Sequence, residues 1–125
     1  MEDLPRAERL RGRGSVGALF DSGSGVAVGV AAVRALRNGL DRNRIAAIAG
    51  RVTGNAVKRS RQRRRLRAAY RVLKASLPKG WDLALVARRG VLEASWADLT
   101  RDLDQAVRKA VARSDAGPPP LPSGT

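Results

Sequence analysis

The chain has 125 residues, with twenty-five Lys and Arg against eleven Asp and Glu for a net charge of +14, and no Cys or His. That length allows one domain, and the missing residue types exclude disulfides, Cys/His zinc sites, thiol chemistry and imidazole acid–base catalysis. Self-repulsion on this scale costs stability, so a polyanionic partner that relieves it is expected.

The N-terminal stretch MEDLPRAERL is charged and has no apolar segment of the secretory type, and residues 1–13 read as an irregular lead-in. Residues 15–20 read as a short helix, with Ser15 as N-cap and Val16, Leu19 and Phe20 on one face. Asp21-Ser22-Gly23-Ser24-Gly25 ends it. In GVAVGVAAVRAL, Val26, Val28 and Val30 alternate as in a strand, and Val33 and Leu36 continue the apolar character. Asn38-Gly39 reads as a turn leading to a second, antiparallel strand over residues 45–49. The run 23–35 is too short and too weakly apolar to span a bilayer, so a cytoplasmic protein is expected.

Residues 56–77 read as one helix, stopped by Pro78 and Gly80. Residues 81–87 read as a buried strand able to pair parallel to an earlier one. Ser95 and Asp98 look like a capping box. Trp96, Leu99, Leu103, Ala106 and Ala110 space out as one face of a last helix, and the Pro-rich tail reads as disordered. The order implies a small α+β or α/β sandwich, helices covering a short sheet.

The helix over 56–77 divides into two halves. Leu66, Tyr70, Leu73 and Leu77 form a core stripe, but run backward the stripe meets Gln62 and Arg59. Seven basic residues fall in the ten from Lys58 to Arg67: Lys58, Arg59, Arg61, Arg63, Arg64, Arg65 and Arg67. Between Asp41 and Asp82 there is no acid and there are thirteen Lys or Arg. Like charges at i+3 and i+4 push a helix apart, so the front half needs negative charge from outside, and Arg suits phosphate through its bidentate fork. Backbone amides after Gly54-Asn55 add to the anion preference. Nucleic-acid binding is therefore expected here. Without an apolar face on the basic half, a membrane-surface helix is disfavoured.

From Gly54 to Arg67 the chain reads GNAVKRSRQRRRLR. This resembles the signature of the bacterial ribonuclease P protein subunit, roughly G-N-A-V-x-R-N-R-x-K-R-x-x-R. The similarity in order and spacing covers roughly residues 6–112, from Arg9-Leu10 and the short helix ending at Phe20, through Arg44 to Arg51, to Trp81-Asp82-Leu83 and the helix after Ser95. The resemblance implies an α+β fold, a small αβββαβα sandwich with a left-handed βαβ crossover, over residues 9–113 between a flexible N-terminus (1–8) and a disordered tail (114–125).

It also implies a protein that binds a large catalytic RNA, the pair removing 5′ leaders from precursor tRNA, with Mg²⁺ held by the RNA and not by protein ligands. No membrane and no obligate protein partner are implied. Mapped onto this sequence, the RNA-contacting residues are Arg51, Asn55, Lys58, Arg59, Ser60, Arg61, Arg63, Arg64, Arg65 and Arg67. The leader cleft, between sheet and first helix, maps to Val16, Phe20 and Arg34. Three departures stand out: Ser60 where the family has Asn, Arg63 where it has Lys, and Val16 and Arg34 where it has aromatics. Fewer aromatics imply weaker stacking of leader bases, with the Arg34 guanidinium as a substitute platform or phosphate contact.

No protein catalyst is expected, since the acids are dispersed: Asp21, Asp41 and Asp82 look isolated, Asp98 reads as a capping residue, and Asp102 and Asp104 as solvent-facing. Trp81, Trp96 and Tyr70 read as core or cap residues. Two other classes share this composition: a ribosomal-type structural RNA-binding protein with a similar crossover, and a dimeric DNA-binding regulator using 56–77 as a recognition helix.

Overall fold

The computed structural model describes residues 5–10 and 13–115. Its elements are helix α1 (Arg13–Ser22), strands β1 (Ser24–Val28), β2 (Ala31–Arg37) and β3 (Arg44–Ile48), helix α2 (Ala56–Leu73), strand β4 (Trp81–Ala87) and helix α3 (Trp96–Asp115). Short 3-10 turns sit at Arg6–Glu8, Arg51–Thr53 and Lys74–Ser76. The strands form one sheet in the order β1-β2-β4-β3, with β1–β2 and β2–β4 antiparallel and β3–β4 parallel.

The alternation of Val26, Val28 and Val30 conceals a hairpin. The chain turns at Gly29-Val30, with Gly29 at φ 56°, and Val28 pairs with Ala31. One expected strand is therefore two. A glycine supplies the left-handed conformation the turn needs, and hydrophobic alternation runs through it unchanged. The Asn38-Gly39 turn does not join neighbours either. β3 runs antiparallel to β2, as expected, but β4 lies between them.

The βαβ unit β3-α2-β4 has a definite hand. Ile45 faces the core under α2, and its carbonyl turns away from β4 to accept from Leu10 N–H at 2.7 Å. Take an L-residue strand running upward with that side chain toward the viewer: its own N–H and C=O point right. β4 therefore lies to the left with α2 in front, which makes the crossover left-handed, against the usual rule.

The two faces of the sheet differ. Ala31, Val33, Ala35, Ile45, Leu83 and Leu85 point into the main core. There α3 covers β1 and β2, and α2 covers β3 and β4. The other face carries Ala32, Arg34, Leu36, Ala46, Ile48, Ala84 and Val86, and Leu10 packs on it together with α1, through Leu19 and Val16. Part of this face stays open beside α1.

Several local expectations meet long-range corrections. α1 starts before Ser15, which lies inside the helix; docking of Leu19 on Ala84 stabilises turns that propensity alone would not. α2 ends at Leu73, and Leu77, in extended backbone, is nonetheless buried. Leu66, Tyr70 and Ala69 are buried as a stripe, and so is Gln62, so the front half of α2 is not wholly exposed. Trp81 is in the core, whereas Trp96 opens α3 on the surface, 43% exposed. Ser95 Oγ accepts from Asp98 N–H at 3.0 Å.

Asp82 is not isolated. Pairing of Arg44 with Asp82 across β3 and β4 buries its carboxylate against the Arg44 guanidinium, with two bonds of 2.8 Å. Asp102 does not face solvent: it is buried and accepts from Val30 N–H, tying the β1–β2 turn to α3. At the N-terminus, Glu8 pairs with Lys74 at 3.1 Å, and Arg9 bridges to Ile45. The expected disordered tail lies, except for residues 114 and 115, outside the described residues.

Tyr70 gives one prediction here. Burial pushes its phenol above the ordinary value of 10.0, against a hydrogen bond with Asn43 that lowers it. A folded-state pKa above the unfolded one means the native state holds the proton longer. That stability is intact below about pH 10 and is lost as pH rises beyond it. Thermal melts from pH 8 to 11.5 are expected to fall more steeply for the wild type than for Tyr70→Phe; parallel curves would refute it.

Candidate nucleic-acid interface

α2 is built to begin sharply. Gly54 (φ 141°) turns the chain, and Asn55 caps the helix, its side-chain oxygen accepting from Lys58 N–H at 2.9 Å. Gln62 Nε2 donates to the Thr53 carbonyl at 2.9 Å and anchors the preceding turn to the helix.

Within the helix the basic residues do not form one patch; the buried line through Gln62, Leu66 and Tyr70 divides them. Arg59, Arg63 and Arg67 recur every fourth residue and make one half-exposed ridge. Arg61 and Arg64 point outward with Ser60, whose hydroxyl accepts from Arg63 at 3.3 Å. Lys58 and Arg65 lie on the opposite flank, where Arg65 donates to the Val91 carbonyl in the β4–α3 loop. Among the described residues no carboxylate pairs with Lys58, Arg59, Arg61, Arg63, Arg64 or Arg65. Arg51 is exposed on the 3-10 turn before the helix.

On the open face, Phe20 and Arg34 come together. The Arg34 guanidinium carbon lies 5.3 Å from the Phe20 ring centre, and Nη2 donates to the carbonyls of Phe20 and Gly23, both at 3.0 Å. It thus closes the C-terminal end of α1, whose carbonyls carry partial negative charge. Gly25, opposite Arg34 on β1, leaves room for it: a Cβ there would sit 2.9 Å from Nη1. Val16 packs beside Leu19 and is partly buried. Phe20 is 40% exposed, so ring and guanidinium offer a composite flat surface.

Sequence reasoning missed Arg88 and Arg89. They follow β4, and the fold carries them to the same end of the molecule as Arg51–Thr53 and the start of α2. Arg88 donates to the Gly29 carbonyl at 3.1 Å, and Arg89 lines hollows shared with Val52 and Thr53. Their only sequence signal is a basic pair closing a strand.

These features define a basic α+β domain with a left-handed βαβ unit, one cationic helix and one open sheet face. The family model described as Ribonuclease P matches residues 4–111, and the chain belongs to that family. The ribonuclease P protein component of Gluconacetobacter diazotrophicus is 38% identical over 110 residues, covering 86% of this chain and 95% of that protein. The one from Thermotoga petrophila is 32% identical over 92 residues, covering 74% and 79%. Among solved structures, the RNase P protein from Thermotoga maritima superposes with a TM-score of 0.74 at 24% identity, covering 82% of this chain and 96% of that one. Members of this family are the protein subunit of an endoribonuclease and associate with its RNA.

Proposed function

We propose that this subunit uses its two basic surfaces for two different RNAs. The Arg59–Arg63–Arg67 ridge and the outward Arg61 and Arg64, with Arg51, Asn55, Ser60 and the Lys58–Arg65 flank, serve the catalytic RNA. The open face with Val16, Phe20 and Arg34 holds the single-stranded 5′ leader of precursor tRNA. The observation that carries this reading is the Phe20–Arg34 pair, which sits beside α1 on the sheet face opposite the main core.

The mechanism is electrostatic and positional. Catalytic RNA and substrate are both polyanions, and the protein's charge lowers the repulsion between them. The carboxylates Asp82, Asp98, Asp102 and Asp104 are committed to arginines of the fold. That supports leaving Mg²⁺ and the hydrolysis to the RNA. Among the described residues no helix is long and apolar enough to cross a membrane, which is compatible with work in the cytoplasm.

Reconstitution tests the reading. With ribonuclease P RNA and precursor tRNA at low Mg²⁺, leader release is expected to depend on the protein. Phe20→Ala and Arg34→Ala should each weaken binding of precursor tRNA to the holoenzyme by about 5- to 100-fold, the range of one stacked base, and leave mature tRNA unaffected. Equal losses for precursor and mature tRNA would remove the leader assignment.

A further inference from the structure

Between the start of α2 and the β4–α3 loop lies a cavity of ≈ 300 Å³, at the small end of the range that takes a small ligand. Its lining includes Val52, Lys58, Gln62, Arg89, Leu92 and Glu93. It lies on the Lys58 flank of α2 and shares no residue with the Val16–Phe20–Arg34 surface.

The chemistry of that lining is selective. Gln62 is 4% exposed, its Nε2 is engaged by the Thr53 carbonyl, and its Oε1 is buried with no partner. Glu93 is exposed and makes no ion pair among the described residues. Glu93 therefore offers two acceptor oxygens to one side of the cavity, while the buried Gln62 Oε1 has no surface open to it. Lys58 and Arg89 offer positive charge, and Val52 and Leu92 offer apolar wall.

A ligand that satisfies all three needs an edge of adjacent donors, a flat body and an anion. Of the common nucleobases, guanine alone presents neighbouring N–H and NH₂ donors; adenine and cytosine place an acceptor beside their amine, which a carboxylate repels, and uracil flanks one N–H with two acceptors. We infer that this cavity is a guanine-nucleotide site, with the N1–H and 2-amino edge on the two carboxylate oxygens of Glu93 and the phosphate on Lys58 and Arg89. The nucleotide is either an unstacked guanosine of an RNA strand or a free guanosine phosphate.

Amide chemical shifts of the full chain decide the matter. Titration with GMP is expected to move the Gly90 and Leu92 amides saturably, with affinity about tenfold above AMP and IMP, the discrimination of one good bidentate base contact. IMP lacks the 2-amino group, so it isolates that donor. Glu93→Gln, a surface change, should abolish the preference.

A short single-stranded RNA with one guanosine, set against the same strand with inosine, separates the sources: tighter binding than GMP marks a strand nucleotide, and weaker binding marks a free one. Indifference among GMP, AMP and IMP, the same shifts with inorganic phosphate alone, or a preference that survives Glu93→Gln would each overturn the inference. The leader reading would stand, because Phe20→Ala and Arg34→Ala leave this cavity intact.

Discussion

Replacing Arg59, Arg63 and Arg67 together with alanine is expected to weaken binding to the catalytic RNA by about a thousandfold at physiological salt, on the order of 1.4 kcal/mol for each lost phosphate contact. The reasoning runs from geometry to charge. The three side chains recur on one ridge, half-exposed and unburdened by carboxylates around them, except that Arg67 has a further contact within the fold. Each would release condensed counterions on meeting a phosphate, so the slope of log affinity against log salt should also become shallower by about 2 to 3. The helix should survive, since its hold on the protein is Leu66, Ala69 and Tyr70. Relief of like-charge repulsion would, if anything, favour it. Lys109→Ala, an exposed change on α3, is the control and should stay within about twofold. Filter binding across a salt series reads both quantities. A triple variant with wild-type affinity and slope would remove the ridge from the interface.

The largest loss of stability from a single polar side chain is expected at Asp82. It is 6% exposed, receives Arg44 Nε and Nη2 at 2.8 Å each, and accepts from Asn38 Nδ2 at 3.1 Å. The Arg44 pKa is raised, mainly by that hydrogen bond and against desolvation. Asp82→Ala removes three bonds at once and leaves a guanidinium and an amide without their partner. Breaking a fully buried pair costs about 3–5 kcal/mol; because a third of the Arg44 side chain reaches solvent, about 2–3 kcal/mol is expected. That corresponds to a fall in Tm of about 10–20 °C for a domain of this size. Asp82→Asn, which keeps the shape, should lose less. A urea midpoint for Asp82→Ala matching the wild type would show that Arg44 and Asn38 find water at no cost.

What the sequence revealed and what it withheld separate by range. The cap at Ser95 acts over three residues and was legible, as was the stripe of Leu66 and Tyr70, whose period is that of the helix itself; the Asn55 cap, equally local, was passed over as a break before the helix. The turn at Gly29 was hidden because alternating valines continue across it. Asp82 and Asp102 were misread because their partners lie 38 and 72 residues away, and no local pattern records such a pairing. The functional surfaces behave the same way. The cationic helix announces itself by composition. Phe20 beside Arg34 came from family resemblance, and Gln62, Arg89 and Glu93 meet only because a loop folds back over the start of α2.

The position of β4 has a further consequence for how the molecule assembles. It is the last strand to be made, yet both β2 and β3 pair with it and not with each other. Until residue 87 has been synthesised, the nascent chain holds a lone hairpin, an unpaired strand and a strongly cationic helix with little to rest on. Closure then needs the hairpin, β3 and the new strand at once, a non-local step that places folding toward the slow, millisecond-to-second regime. During that interval the cationic segment is free to meet any nearby transcript, so the order of synthesis itself favours an encounter with RNA before the sheet is finished.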